Sequence, residues 1–502
     1  MSWADLGQRG KRWLILVHRW VGIVFCLLFL MWCVSGIVMV FVRFPDLGHD
    51  ERMAGLPAID WSRVEIGPAA AERLASPGGP ARAIALEMIA GDPVWRIMPH
   101  DGPLGAVNPT IGRVGPPGGP ETTLCAATGA RLPGISAAQA EHIASAFARA
   151  PVAKVRRMEY DQWTSEPRYD QHRPLYRVRF AGPGARDLYI SSTTGAVLQD
   201  TNREERFWNW IGSVPHWGYF TILSRHASVY RQVIIWVAAP CILVAITGIW
   251  IGLLRTRIGR RRYRDGRMTP FRGWMLWHHV AGLAGGLTLG LWIFSGWLSV
   301  DPGHMFGHTR FDPQARAAFL AARPLPPIDP ARLAHAAGAD AKRVELFWAA
   351  GRPWVQIEGE ERTTILDAEE LRPGHLRRQA LLAAAQRLVP GVKIAAMERL
   401  TAPDLYWYDL LGRPQLPVLR VKFADAAGTW VHLDPATGRL LGATDRRGRA
   451  YRWLYSLFHK WDLNMLTLNR PAWEAVMATL ASIGVVISFT GIWIGWRRLR
   501  GL

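Results

Sequence analysis

Along most of the chain, polar and apolar residues alternate on a short period. In four stretches that alternation disappears. These apolar runs extend roughly from Trp13 to Val42, Val229 to Leu254, Trp274 to Val300 and Trp473 to Trp496. About 20 residues of α-helix cross a bilayer, so each run predicts a transmembrane helix. The first is too long for the apolar core of a signal peptide, and no small-residue cleavage site follows it. It reads as a retained anchor.

The two long connections, 45–213 and 301–457, have the pattern of folded domains. Leu175-Tyr-Arg-Val-Arg-Phe180 alternates like a strand, a Gly-Pro-Gly turn follows, and Arg186–Ser191 makes a second strand closed by Thr194-Gly195. The counterparts are Val418–Phe423, Gly428–Asp434 and Thr437-Gly438. Ala-rich helical stretches, Ser136–Ala150 and Arg378–Leu388, precede the hairpins. A strand and turn at Glu121–Leu132 predict more than one such unit per region.

The chain repeats itself. His18 and Ser35-Gly36 recur as His278 and Ser295-Gly296, both at an offset of 260. Thr194-Gly195 recurs as Thr437-Gly438 at an offset of 243. The same offset matches Gly248-Ile-Trp-Ile-Gly252 with Gly491-Ile-Trp-Ile-Gly495, and His216 with His459. The expected layout is a tandem duplication with a pseudo-two-fold axis along the membrane normal. It runs as helix 1 (1–44), an α+β domain (45–213), an outer histidine segment and helix 2 (214–258), and a basic loop (259–273). The second copy follows as helix 3 (274–300), a second α+β domain (301–457), and a histidine segment with helix 4 (458–502).

Charge fixes the expected orientation. Lys11, Arg12 and Arg19 open the first span, Arg497, Arg498 and Arg500 follow the fourth, and Arg255–Arg264 between spans two and three is almost purely basic. The positive-inside rule places all three clusters, and both termini, in the cytoplasm, and the two long connections outside. It also accounts for the net charge of +20 without nucleic acid as a partner. With 49% hydrophobic and 20% charged residues and 25 tryptophans, the composition fits membrane helices joined to folded domains. The four cysteines show neither zinc spacing nor a Cys-x-x-Cys-His motif, and apolar packing is their expected role.

The chemistry concentrates in histidine. His18 and His278 lie near the cytoplasmic ends of spans one and three, and His216 and His459 lie ahead of spans two and four on the outer side. An ionisable group inside a membrane is costly and needs a partner. From His18 to Val42 a straight helix covers about 36 Å, so the histidines are expected to form two sites of two residues each. Gly22 and Gly282 stand one turn after their histidines, leaving room for a flat ligand. Two haems b, each held by two histidines, use all of these features. The competing reading makes the histidines interfacial helix caps beside tryptophan. His279 competes with His278 as the ligand and points about 100° away on a helix. His304 and His308 are expected in a loop, with a metal or substrate contact as the alternative.

Other features discriminate less. The Gly-x-x-x-Gly pairs Gly248/Gly252, Gly491/Gly495 and Gly282/Gly286 allow close helix approach. The Arg-rich loop suits anionic lipid or an acidic donor protein, although topology already explains it. In the outer domains Trp163, Trp407, Tyr406 and Asp404 are candidate substrate contacts, with domain core as the alternative. No Gly-rich nucleotide fingerprint, Ser/His/Asp set or His-Glu-x-x-His motif is present.

His18-Arg-Trp-Val-Gly22, Ser35-Gly36, Thr247-Gly-Ile-Trp250, Thr490-Gly-Ile-Trp493 and the ending Val431-His-Leu-Asp-Pro-Ala-Thr-Gly438 together resemble the PepSY-associated transmembrane family. The resemblance covers nearly the whole chain. It implies a fold of four transmembrane helices in two pseudo-symmetric halves with two α+β PepSY-like periplasmic domains. Members similar to this chain include inner-membrane ferric-siderophore reductases, which carry haem in the membrane. By that resemblance, electrons pass from a cytoplasmic-side donor, a quinol or a flavoprotein, to a periplasmic ferric chelate such as a siderophore. PepSY domains also occur as binding or inhibitory modules, so a non-enzymatic sensor is the alternative. The resemblance carries two departures, the His278-His279 doublet and the turn Asp367-Ala-Glu-Glu-Leu371 where Thr-Gly is expected.

Overall fold

The computed structural model describes residues 3–75, 79–98, 121–259, 262–307, 309, 311–410 and 414–501. Arg260 and Arg261 of the basic loop, His308, and 411–413 of the loop after Asp404 lie outside them. The chain divides into two compact units. One comprises 1–44, 204–307 and 450–502, the other 45–203 and 308–449.

The first unit is a bundle of four long helices, Trp3–Phe41, Ala227–Leu254, Gly273–Leu298 and Ala472–Leu499, called spans 1 to 4 here. Each is long and apolar enough to cross a membrane. Span 1 packs on spans 2 and 4, and span 3 packs on the same two. Small residues permit close approach. A Cβ on Gly484 of span 4 would lie 2.6 Å from Cys33 Sγ on span 1, and one on Gly285 of span 3 would lie 2.5 Å from Ile483. Outward, Val24, Leu27, Trp236, Ile246 and Leu287 are exposed, an apolar surface that lipid must cover. Cys33 and Cys241 are buried in the bundle, and all four cysteines are free thiols.

Two helical segments absent from the hydrophobic pattern lead into spans 2 and 4, and this unit takes them up from Glu204 and from Ala450. Residues Arg203–Ile211 and Ser213–Trp217 form short helices before span 2, and Arg446–Tyr451, Arg452–Leu457 (a π-helix) and Phe458–Lys460 precede span 4. The division between units therefore falls at 203/204, ten residues before the boundary expected at 213/214.

The second unit is α+β and entirely antiparallel in its sheets. Strands β1 (Ala83–Ile89), β2 (Asp92–Met98) and β3 (Thr122–Cys125) come from the first half. Strands β4 (Val152–Met158), β5 (Leu175–Phe180), β6 (Asp187–Ser191) and β7 (Val197–Thr201) form a four-stranded sheet in sequence order, covered by helix Ala137–Ala148. The second half repeats this with β8 (Arg343–Ala349), β9 (Arg352–Glu358) and β10 (Thr363–Asp367). A second four-stranded sheet follows, made of β11 (Ile394–Leu400), β12 (Val418–Phe423), β13 (Trp430–Leu433) and β14 (Leu440–Thr444). The alternation seen in the sequence is the sheet pleat: Val178 and Phe180 are buried, whereas Arg177 and Arg179 reach the neighbouring strand and clamp Asp187.

The halves are joined by a strand pairing that no local pattern announces. Strands β1 and β8 pair, with Ala83 opposite Phe347 and Glu87 opposite Arg343, so six strands form one continuous sheet in the order β10-β9-β8-β1-β2-β3. Arg343 of β8 reaches across this seam to Glu87 of β1 at 3.7 Å, and each partner is held on its own side, Arg343 by Glu358 at 2.8 Å and Glu345 at 2.6 Å, and Glu87 by Arg96 at 2.5 Å. The irregular turn after β10 has the geometry of its first-half counterpart. Leu371 adopts φ 55° where Gly129 adopts 75°, and each amide donates to the carbonyl four residues back at 2.8 Å.

Candidate functional site

Four dipeptides inside the spans have the same composition: Ser35-Gly36, Thr247-Gly248, Ser295-Gly296 and Thr490-Gly491. Each is a hydroxyl residue followed by a glycine, and each faces one histidine ring from another segment. The hydroxyl donates back to the carbonyl four residues earlier, at 2.6–2.7 Å in all four cases. Its lone pairs are thereby left to accept.

The acceptor faces imidazole Nδ1 every time. His18 Nδ1 lies 3.1 Å from Val244 O and 3.4 Å from Thr247 Oγ1. His278 Nδ1 lies 3.1 Å from Ile487 O and 3.0 Å from Thr490 Oγ1. His216 Nδ1 lies 3.2 Å from Trp32 O and 3.1 Å from Ser35 Oγ. His459 Nδ1 lies 3.3 Å from Trp292 O and 3.1 Å from Ser295 Oγ. A carbonyl cannot donate, and the hydroxyl proton is already committed to its own helix. The network therefore assigns the proton to Nδ1 and the free lone pair to Nε2. No hydrogen bond to any of these four Nε2 atoms is present among the described residues.

The glycines make the seats. A Cβ on Gly248 would lie 2.7 Å from His18 Cε1. On Gly491, Gly36 and Gly296 it would lie 3.4 Å from Cε1 of His278, His216 and His459 respectively. The Gly-x-x-x-Gly pairs thus do more than admit helices. Gly252 and Gly495 pack on Leu283 and Ile23 of neighbouring spans, while Gly248 and Gly491 hold the rings. Gly22 and Gly282, which the sequence suggested as the beds of a flat ligand, do not touch the histidine rings. A Cβ at Gly282 would meet nothing within 4 Å, and one at Gly22 only Val244 at 3.8 Å, so space is open one turn beyond each histidine.

These seats bring the histidines together in two pairs. The His18 and His278 ring centroids are 6.3 Å apart with planes at 45°, and those of His216 and His459 are 6.1 Å apart at 68°. The first pair lies toward the basic ends of the spans. The second lies toward the end where the chain passes to the other unit. Ser35 follows His18 by 17 positions, as Ser295 follows His278, which separates the two levels by about 25 Å of helix. This is shorter than the 36 Å expected, because His216 folds back against the middle of Ser35's turn instead of sitting beyond Val42. Burial lowers the pKa of His216 and His459, so both are neutral at pH 7.

The remaining histidines go elsewhere. His279 is buried, packs on Phe271 at 5.1 Å, and spends Nε2 on Thr256 Oγ1 at 3.3 Å. His226 accepts from Arg225 Nε at 3.1 Å, and His304 Nε2 lies 3.1 Å from Arg231. No group of three or more His, Cys, Asp or Glu residues suited to a metal ion occurs among the described residues.

The candidates in the second unit are engaged within their own halves. Trp163 and Trp407 are 4% and 2% exposed, so they are core residues of their sheets and present no face to a substrate. Trp407 stacks on His432 at 4.6 Å and donates Nε1 to Gln415 O. Asp404 is held by Arg420 and by the amides of Tyr406 and Trp407, and Asp161 by Arg177 in the first half. These carboxylates pin loops. Tyr406 is half-buried against Trp430 at 5.2 Å.

A four-span bundle carrying paired, seated imidazoles in its interior, joined to antiparallel α+β sheets, defines a multi-pass membrane protein. The family model described as the PepSY-associated TM region matches residues 15–388, and the chain belongs to that family. No curated protein matches it.

Proposed function

We propose that this protein is a transmembrane haem oxidoreductase that passes electrons from the cytoplasmic side to a ferric chelate outside. One observation carries the proposal: four imidazoles in two facing pairs, each with Nδ1 anchored and Nε2 free. With a metal–imidazole bond of about 2 Å and about 1 Å from that nitrogen to the ring centre, two imidazoles on opposite faces of one iron stand about 6 Å apart. The spacings of 6.3 and 6.1 Å fit that geometry. The open space beside Gly22 and Gly282 fits a planar ligand at the first pair. A set of two imidazoles without carboxylate or thiolate is a poor cage for a bare ion, and suits a metal whose equatorial ligands arrive with it.

Bound haem supplies reversible one-electron carriage in an apolar medium. The chain's own residues do the rest. The Ser/Thr–Gly seats fix each ring's tautomer and plane before any ligand arrives, so little reorganises at the ligating nitrogen. The spans exclude water from the inner pair and hold the two levels apart on rigid helices. The basic flanks Lys11, Arg12, Arg497 and Arg498 support a cytoplasmic placement of the His18/His278 level. The His216/His459 level then faces outward, nearer the acceptor. Each ferric ion reduced takes one electron, and reduction loosens a hard-oxygen chelate because Fe(II) binds such ligands less tightly. Membership of the family is consistent with this chemistry.

The test is a mixing experiment. Purified protein reduced with dithionite should show sharp α bands, and anaerobic addition of a ferric hydroxamate should reoxidise them with stoichiometric Fe(II) release. A colourless preparation, or α bands indifferent to the chelate, contradicts the proposal.

A further inference from the structure

The two histidine pairs are not equivalent, and the difference lies in one aromatic residue. Tyr455 stacks on the His459 ring at 5.3 Å with planes 24° apart, and Tyr451 stacks on Tyr455 at 4.9 Å and 27°. The three rings stand four residues apart on one face of the segment before span 4. Apart from its pair partner, no aromatic ring stacks on His18, His278 or His216 among the described residues.

The first half has no place for such a ring. At the repeat offset of 243, Tyr455 corresponds to Gly212. A Cβ on Gly212 would lie 2.9 Å from Val38 Cγ1 and 3.2 Å from Trp208 O, so any side chain there collides with span 1 or its own helix. The second half is built differently. Residues Arg452–Leu457 form a π-helix, a form concentrated at functional positions. Arg452 closes it by a buried ion pair with Asp462 at 2.9 Å and a bond to Asp462 O at 3.1 Å. The widened turn and its ionic clasp deliver Tyr455 flat against His459.

We propose that Tyr455 is a positioning residue that fixes the plane of His459 and so makes the outer haem electronically distinct from the inner one. The inference rests on the haem reading above. The plane of an axial imidazole decides which iron d orbital its π system overlaps, and crossed planes keep two of those orbitals close in energy. The outer planes cross at 68° and the inner at 45°. The outer ferric haem therefore has the more anisotropic low-spin spectrum, with the larger maximum g value. Tyr455 maintains that difference through ring contact rather than through its hydroxyl.

Low-temperature EPR of the oxidised protein tests this with two variants. Wild type should give two low-spin signals of unequal maximum g. Tyr455→Leu should shift or broaden the larger one alone, or release that haem, while Tyr455→Phe keeps the ring and the wild-type spectrum. An unchanged spectrum in Tyr455→Leu overturns the inference, as does loss or shift of the outer signal in Tyr455→Phe. A wild-type protein without a Soret band overturns the haem reading itself and this inference with it. Normal haem with an indifferent outer signal removes only the role of Tyr455.

Discussion

At the basic end, the histidines stand on spans 1 and 3 and their hydroxyl–glycine seats on spans 2 and 4. At the other end the same spans 1 and 3 supply the seats, and the histidines arrive on short helices ahead of spans 2 and 4. Each of spans 1 and 3 thus carries a ligand at one level and a seat at the other, 17 residues apart. The inner pair is held entirely by continuous transmembrane helices. The other pair stands outside the spans: His216 is on a five-residue helix, Ser213–Trp217, that ends in a left-handed turn at Gly218, and His459 is in the last turn of a helical run over 446–460 that ends in one at Trp461. One local device therefore serves a stiff site and a more tethered one, and the two should respond differently to damage.

The largest expected effect comes from the ligands. His18→Ala or His278→Ala should remove the inner low-spin haem, or turn it high-spin, and leave the outer spectrum intact. His216→Ala and His459→Ala should do the reverse. Each should abolish electron passage across the bundle. Difference EPR on the four variants checks the assignment, and a variant that disturbs both signals equally breaks the two-level account.

Seat substitutions come next. Gly248→Ala places a methyl 2.7 Å from His18, against 3.4 Å at Gly36, Gly296 and Gly491. Inner-haem affinity should fall about 10- to 100-fold in Gly248→Ala, the range for disturbed support of a metal ligand. Gly36→Ala should cost less, since the tethered outer histidine can shift by a few tenths of an ångström. Haem titration of the apo-protein reads both, and the opposite order would refute the contrast in stiffness.

Removing one Nδ1 acceptor is gentler. Ser35→Ala or Thr247→Val leaves the carbonyl of Trp32 or Val244 in place, so about a tenfold loss of affinity is the expected ceiling. The smallest effect belongs to His279→Ala, which breaks one contact with Thr256 and should leave both haems low-spin.

Spans, repeat and histidine pairing were legible because each leaves a one-dimensional trace: long apolar runs, fixed offsets, and costly residues recurring in step. The role of the hydroxyl–glycine dipeptides was visible only as repetition. That Thr247-Gly248 contacts His18 depends on spans 1 and 2 packing in register, which no local pattern encodes. The pairing of β1 with β8 was hidden for the same reason, since a strand does not announce its distant neighbour. An aromatic–acidic cluster such as Trp163, Trp407 and Asp404 reads alike in sequence whether it faces a ligand or pins a loop; in the fold the two tryptophans are buried and Asp404 accepts from the Trp407 amide. Tyr455 left no trace in the repeat, because its counterpart is a glycine.

If one chain holds two bis-histidine haems at separate levels, haem quantitation with resonance Raman spin-state markers on the purified wild-type protein should find two haems per chain, both six-coordinate and low-spin in oxidised and reduced forms. One haem per chain, none, or a five-coordinate population in the intact protein would contradict that reading.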